Sequence, residues 1–119
     1  MKIQFKLILG EFANDIVFNT QANSLLEKLK EEEINRFNYH IDPDNKNIFI
    51  VETFVSIAKN LFVPSFKNLI KDFCKDDEAT QHYIIREIKI SFKLETSQAG
   101  FRHGDFDTFY DYINSDIFQ

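Results

Sequence analysis

Residues 88–95, Ile88-Lys89-Ile90-Ser91-Phe92-Lys93-Leu94-Glu95, place an apolar side chain at every second position and a polar one between. Side chains of an extended chain point alternately to opposite faces. This period of two therefore describes a strand with one face in a core and the other in water. With Glu87 and the aromatic and β-branched residues before it, the whole stretch from Tyr83 to Glu95 reads as β. A half-wet strand belongs to an antiparallel sheet, because parallel sheets are covered on both faces. Helices must then cover the apolar face. The expected fold is α+β: an antiparallel or mixed sheet of four to five strands with about four helices packed mainly on one face.

The same period recurs at residues 2–9, where Ile3, Phe5, Leu7 and Leu9 oppose Lys2, Gln4 and Lys6. Gly10 and Asn14-Asp15 are turn residues, and Ile16-Val17-Phe18 reads as a short second strand closing a hairpin. Ser24-Leu25-Leu26-Glu27 matches the Ser-x-x-Glu capping box, which predicts a helix over 24–37 with Leu25, Leu26, Leu29, Ile34 and Phe37 on its apolar side. Residues 38–47 carry the strongest turn signal. Ile48-Phe49-Ile50-Val51 is apolar on both faces, which predicts a strand at 47–51 in the sheet centre, passing into a helix at 52–61.

Pro64 and Ser65 open a further helix with Phe66, Leu69, Ile70, Phe73 and Cys74 facing inward, and Asp76-Asp77-Glu78 ends it and offers a cap to the next element. A loop is expected over 96–104. Asp105 then has the character of an N-cap, followed by Phe106, Phe109, Tyr110 and Ile113 at helical spacing. There is no internal repeat and no composition break, so residues 1–119 are read as a single domain.

Composition narrows the function classes. The chain is 44% hydrophobic and 28% charged, with fourteen Phe and only three Gly, which suits a firmly packed globular domain. A net charge of −5 argues against unspecific binding to nucleic acid or anionic membranes. The one cysteine, Cys74, falls on a predicted apolar helix face and suits a reducing compartment as a small core residue. No apolar run is long enough for a signal peptide or a membrane span, and a cytoplasmic location is expected.

Catalytic and metal signatures are missing. Asp42-Pro43-Asp44-Asn45-Lys46-Asn47 invites comparison with a calcium loop, but Lys46 stands where the cation needs an oxygen, and Asn47 and Thr53 occupy the Gly and Glu positions. His40, His82 and His103 lie in separate segments without the spacing of a zinc site. There is no Gly-x-Ser-x-Gly elbow and no glycine-rich phosphate loop. No catalytic residue, cofactor or metal is therefore assigned.

One charge asymmetry remains. Residues 1–103 hold fifteen acidic and fourteen basic side chains, whereas 104–119 hold Asp105, Asp107, Asp111 and Asp116 and no Lys or Arg. Asp105 suits a helix start, but Asp107 and Asp111 form a like-charge pair at i,i+4, and Asp116 lies at the wrong end of the helix dipole. A surface built this way lies over cations of its own domain or awaits a basic partner. The expected partner-binding residues are Asp107, Asp111, Tyr112 and Asp116, with Tyr110 as a further aromatic contact.

Small acidic immunity proteins that block nuclease toxins share this profile of size, charge and absent motifs. So do phage inhibitors of nucleic-acid-binding machinery. The expected partner is thus a basic protein, a toxin or nucleic-acid-binding protein, with no direct nucleic-acid or membrane binding. The alternative is a small-ligand-binding or enzymatic domain with a Phe-lined pocket, for which Phe54, Phe92 and Tyr83 are the natural lining residues.

Overall fold

The strand β1 (Lys2–Ile8) takes the middle of the sheet, because both of its edges are filled by antiparallel neighbours. The structure, a computed structural model, describes residues 1–94 and 101–115 of the chain. Among them, β1, β2 (Phe37–Asp42), β3 (Asn45–Phe54), β4 (Lys89–Leu94) and β5 (Phe101–Asp105) form one antiparallel sheet in the order β2-β3-β1-β4-β5. Ile3, Phe5 and Leu7 of β1, Phe49 and Val51 of β3, and Ile90, Phe92 and Leu94 of β4 are buried on one face. Lys2, Gln4, Lys6 and Ile8 of β1 keep solvent contact on the other. The alternation read at 88–95 holds over the described part except at Ser91, which is buried, and the fold is α+β with an antiparallel sheet.

Helices α1 (Ile16–Glu32), α2 (Val55–Ile57), α3 (Val63–Phe73), α4 (Glu78–Glu87) and α5 (Phe106–Ile113) supply most of the rest of the core, with Leu9, Phe37, Ala58, Phe62 and Ile88 from between and beside them. The phenylalanine excess is spent there. Phe5 lies 5.0 Å, centroid to centroid, from both Phe62 and Phe109, and Phe66 lies 5.5 Å from Phe62 and 5.2 Å from Phe106. Tilted and edge-on ring pairs at such separations are favoured by the quadrupoles of the rings, so one aromatic network ties β1 to α3 and α5.

The structure corrects several boundaries. Ile16-Val17-Phe18 is not a strand but the first turn of α1, which begins eight residues before Ser24. Asp15 caps it, its carboxylate accepting from the Phe18 amide at 3.0 Å. The β-branched pair misleads because Ile16 and Val17 remain exposed, and only Phe18, Ala22, Leu26 and Leu29 are buried along the helix. Ser24 is an exposed mid-helix residue, not a cap. Asp15→Ala is accordingly expected to cost roughly 0.5–2 kcal/mol and Ser24→Ala to change stability by no more than about 0.5 kcal/mol. Urea unfolding of the two variants checks this, and equal losses would contradict it.

The turn read over 38–47 shrinks to Pro43-Asp44 between two long strands, with Asp42 Oδ1 accepting from the Asp44 amide at 2.8 Å. β3 runs on to Phe54, past the expected end at 51. From Val55 the chain stays helical through Pro64 to Phe73 without the expected break. A π-helical turn at Ala58–Phe62 makes this possible. Proline lacks an N–H and crowds the carbonyl four residues before it, and a wider turn relieves both problems.

Residues 83–87 belong to α4, not to the strand. Asp77 caps α4, with the Thr80 hydroxyl and amide holding its carboxylate below the usual range. Part of the loop expected over 96–104 is β5, while 95–100 lie outside the described residues.

Candidate functional site

Helix α5 has two sides of opposite character. Phe106, Phe109 and Ile113 are buried, anchoring it over β4 and β1. Asp105 caps it as expected, its Oδ1 accepting from the Thr108 amide and hydroxyl, each at 2.8 Å. The Thr108 amide, then its hydroxyl and the charge of Lys89, hold the Asp105 carboxyl below its usual range, against a partial burial that pushes the other way.

The outer side carries Asp107, Tyr110 and Asp111, all exposed. Asp107 does lie over a cation of its own domain: Lys67 Nζ of α3 is 3.4 Å from its Oδ1. The same ammonium lies 4.1 Å from the centroid of the Tyr110 ring, within cation–π range. Asp111 has no ion pair or hydrogen bond among the described residues. Of the two expected aromatic contacts, only Tyr110 is exposed. Tyr110 is 37% exposed, not core, whereas Tyr112 is half-buried with its ring 4.6 Å from that of Phe92. Asp116 lies outside the described residues. Nothing in the helical period alone separates Tyr110 from Tyr112, because the lean of α5 over Phe92 decides which ring is covered.

The residues offered for an aromatic pocket are not brought together. Phe92 is buried against Phe109 and Tyr112, while Tyr83 is on the surface of α4, donating its hydroxyl to Glu11. Phe54 lies at the end of β3 beside Lys2, in a cleft of about 820 Å³ that also reaches Lys30, Arg36 and Lys93. Sequence reading does not find this cleft, since its cations come from three distant parts of the chain, at Lys2, at Lys30 with Arg36, and at Lys93.

Among the described residues, no three His, Cys, Asp or Glu side chains gather as metal ligands. His40 and His103 stand at opposite edges of the sheet, in one cross-strand row with Ile50, Lys6 and Ser91 between them. The Cys74 thiol is pushed up by burial and then by the negative charge of Asp77, which disfavours the nucleophilic thiolate. Burial, then the hydrogen bond that Tyr39 donates to Glu27 at 2.8 Å, raises the Tyr39 phenol to about 12. Each is a packing consequence away from any cluster of reactive groups. Among the described residues no helix is long and apolar enough to cross a membrane.

Compared with models of known protein families, with curated proteins and with solved structures, the chain finds no match.

Proposed function

We propose that this is a small cytoplasmic binding protein that neutralises a basic protein partner, in the manner of an immunity protein acting on a nuclease toxin, and that the outer side of α5 is its contact surface. The observation that carries the reading is the placement of exposed Asp107 and Asp111 one turn apart around exposed Tyr110, on a helix fixed to the core by Phe106, Phe109 and Ile113. Tyrosine gives contact area at small entropic cost, and flanking carboxylates steer a cationic surface toward it. The Lys67 pair does not oppose this role. Asp107 is exposed and Lys67 only half-buried, so the pair is largely solvent-screened and an incoming Arg or Lys displaces Lys67 at modest cost. Carboxylates in such an array occupy a site shaped for phosphates, which blocks a nuclease without any chemistry by the inhibitor.

The test is capture of the partner on immobilised protein, followed by titration of the purified pair. A single stoichiometric basic protein is expected, bound less tightly as salt rises and with its nuclease activity suppressed. Asp107→Asn with Asp111→Asn is expected to weaken binding by at least about tenfold. Unchanged affinity in that double variant removes α5 as the contact surface.

A further inference from the structure

The strand β2 ends the sheet on one side, with β3 within it and, among the described residues, no strand beyond it. The direction of its backbone groups follows from its neighbours. In an antiparallel pair the N–H and C=O of one residue point to the same side, and successive residues alternate. The Val55 amide donates to the Met1 carbonyl at 2.8 Å and the Leu9 amide to the Asn47 carbonyl at 3.4 Å. The odd positions of β3 therefore serve β1, and the even ones serve β2. Asn38 and His40, opposite Glu52 and Ile50, bond inward. Tyr39 and Ile41 aim both their N–H and their C=O groups at the open edge.

Open edges are normally guarded by Lys, Pro, a bulge or an inward-pointing charge. Residues 37–41 include no Lys, Arg, Pro, Asp or Glu, and the register shift comes only after Ile41. The charge that follows, Asp42, is buried and 3.8 Å from Lys6 Nζ. Ile41 is 49% exposed. Tyr39 lies along an exposed flank of α1, its hydroxyl donating to Glu27 and its ring centroid 5.9 Å from Lys30 Nζ. Ile16, 82% exposed, is eleven residues ahead of Glu27, which is three turns, and so shares that flank.

The edge is complementary to itself. When a second β2 is laid antiparallel with His40 opposite His40, Tyr39 of each copy meets Ile41 of the other. Both residues have outward N–H and C=O groups, so each of these pairs exchanges both of its hydrogen bonds. The same register sets an aromatic ring against a β-branched side chain, a favoured cross-strand pair that covers Ile41. Two chains of net −5 repel, and an uncharged strip is where they meet at least cost. A basic partner finds no carboxylate on residues 37–41, whereas an identical strand finds its match.

We propose that β2 pairs with β2 of a second copy about a two-fold axis at His40, joining two sheets into one. The contact is on the opposite side of the sheet from β4 and β5, where α5 packs, and it does not depend on the α5 surface.

Sedimentation equilibrium over a concentration series tests this. The mass is expected to rise from monomer toward dimer between about 1 µM and about 1 mM. It is expected to rise equally in high salt, since no ion pair holds the contact. Ile41→Lys puts a guarding charge on an exposed position and is expected to stay monomeric with its melting temperature retained. In the proposed register the two residues at position 40 form a non-hydrogen-bonded pair with Cα atoms about 4.5 Å apart, within disulfide reach. His40→Cys is therefore expected to give a covalent dimer on mild oxidation, while Asn38→Cys, which faces position 42 of the second copy, does not. Cys74 is buried and does not compete. Three results overturn the proposal: a chain still monomeric at the top of the series, an Ile41→Lys variant that dimerises like the parent, or equal cross-linking from positions 38 and 40. Protection of the Tyr39 and Ile41 amides from exchange by a different protein alone also overturns it, and gives the edge to that protein.

Discussion

Phe5→Ala is expected to remove about 3–5 kcal/mol of stability, the range for truncating a fully buried ring. Phe5 has no solvent exposure and sits on the central strand, opposite Val51 on one side and Phe92 on the other. Its ring is the junction between Phe62 on the helical segment after β3 and Phe109 on α5, 5.0 Å from each. Removing it opens a void that three different elements would have to close at once. β1 cannot move to do so, because hydrogen bonds hold both its edges. Domains of this kind are stable by only about 5–15 kcal/mol, so one such loss is a large share of the total. Urea unfolding measures it. Phe54→Ala, at the half-buried sheet end, is the comparison and is expected to lose clearly less. Equal losses at the two positions would show that the aromatic network is not centred on Phe5.

Gly104→Ala is the second large effect, expected at about 1–3 kcal/mol for an overpacked contact. A Cβ at this position would stand 2.8 Å from Thr108 Cγ2 and 2.9 Å from Thr108 Cβ, closer than carbon atoms approach. Thr108 cannot rotate away freely, since both its amide and its hydroxyl are bonded to Asp105. The added methyl therefore pushes the first turn of α5 off the end of β5. Thr108→Ser in the same chain deletes Cγ2 but keeps the hydroxyl and Cβ, so it is expected to restore part of the loss. Full restoration would place the clash on the methyl alone, and a loss below about 0.5 kcal/mol for Gly104→Ala would show that α5 tilts freely. Because Asp107, Tyr110 and Asp111 ride on that helix, the variant is also expected to weaken partner binding without altering any contact residue.

Two of the five strands were legible from their alternation, whereas β2 was read as turn and β5 as loop. Lys2–Ile8 and Lys89–Leu94 carry their alternation openly, and from them an antiparallel sheet with helices on one side follows. The false strands fall where residues of high β propensity stand exposed or serve a helix. Ile16 and Val17 look like strand but are surface residues of α1, and Tyr83-Ile84-Ile85 contribute only Ile84 to the buried side of α4. The caps Asp15 and Asp77 were the available signals, each a carboxylate ahead of a helix. Of the acidic tail, Asp105 was legible as a cap, because capping is local. The pairing of Asp107 with Lys67 was not, because the two are forty residues apart and meet only once α3 and α5 pack. The cleft was invisible for the same reason.

The order of the strands has a consequence for how the chain reaches this state. Lys6, in the middle of the sheet, faces Ile50 on one side and Ser91 on the other, so its neighbours follow it by 44 and 85 residues. Closing such long loops comes late and slowly, because the entropy of closure must be met before the pairing rewards it. The β2–β3 hairpin and the helices can form from neighbouring residues much earlier. A nascent chain therefore carries β1 unpaired on one edge until β4 has emerged, and the sheet closes through its centre last.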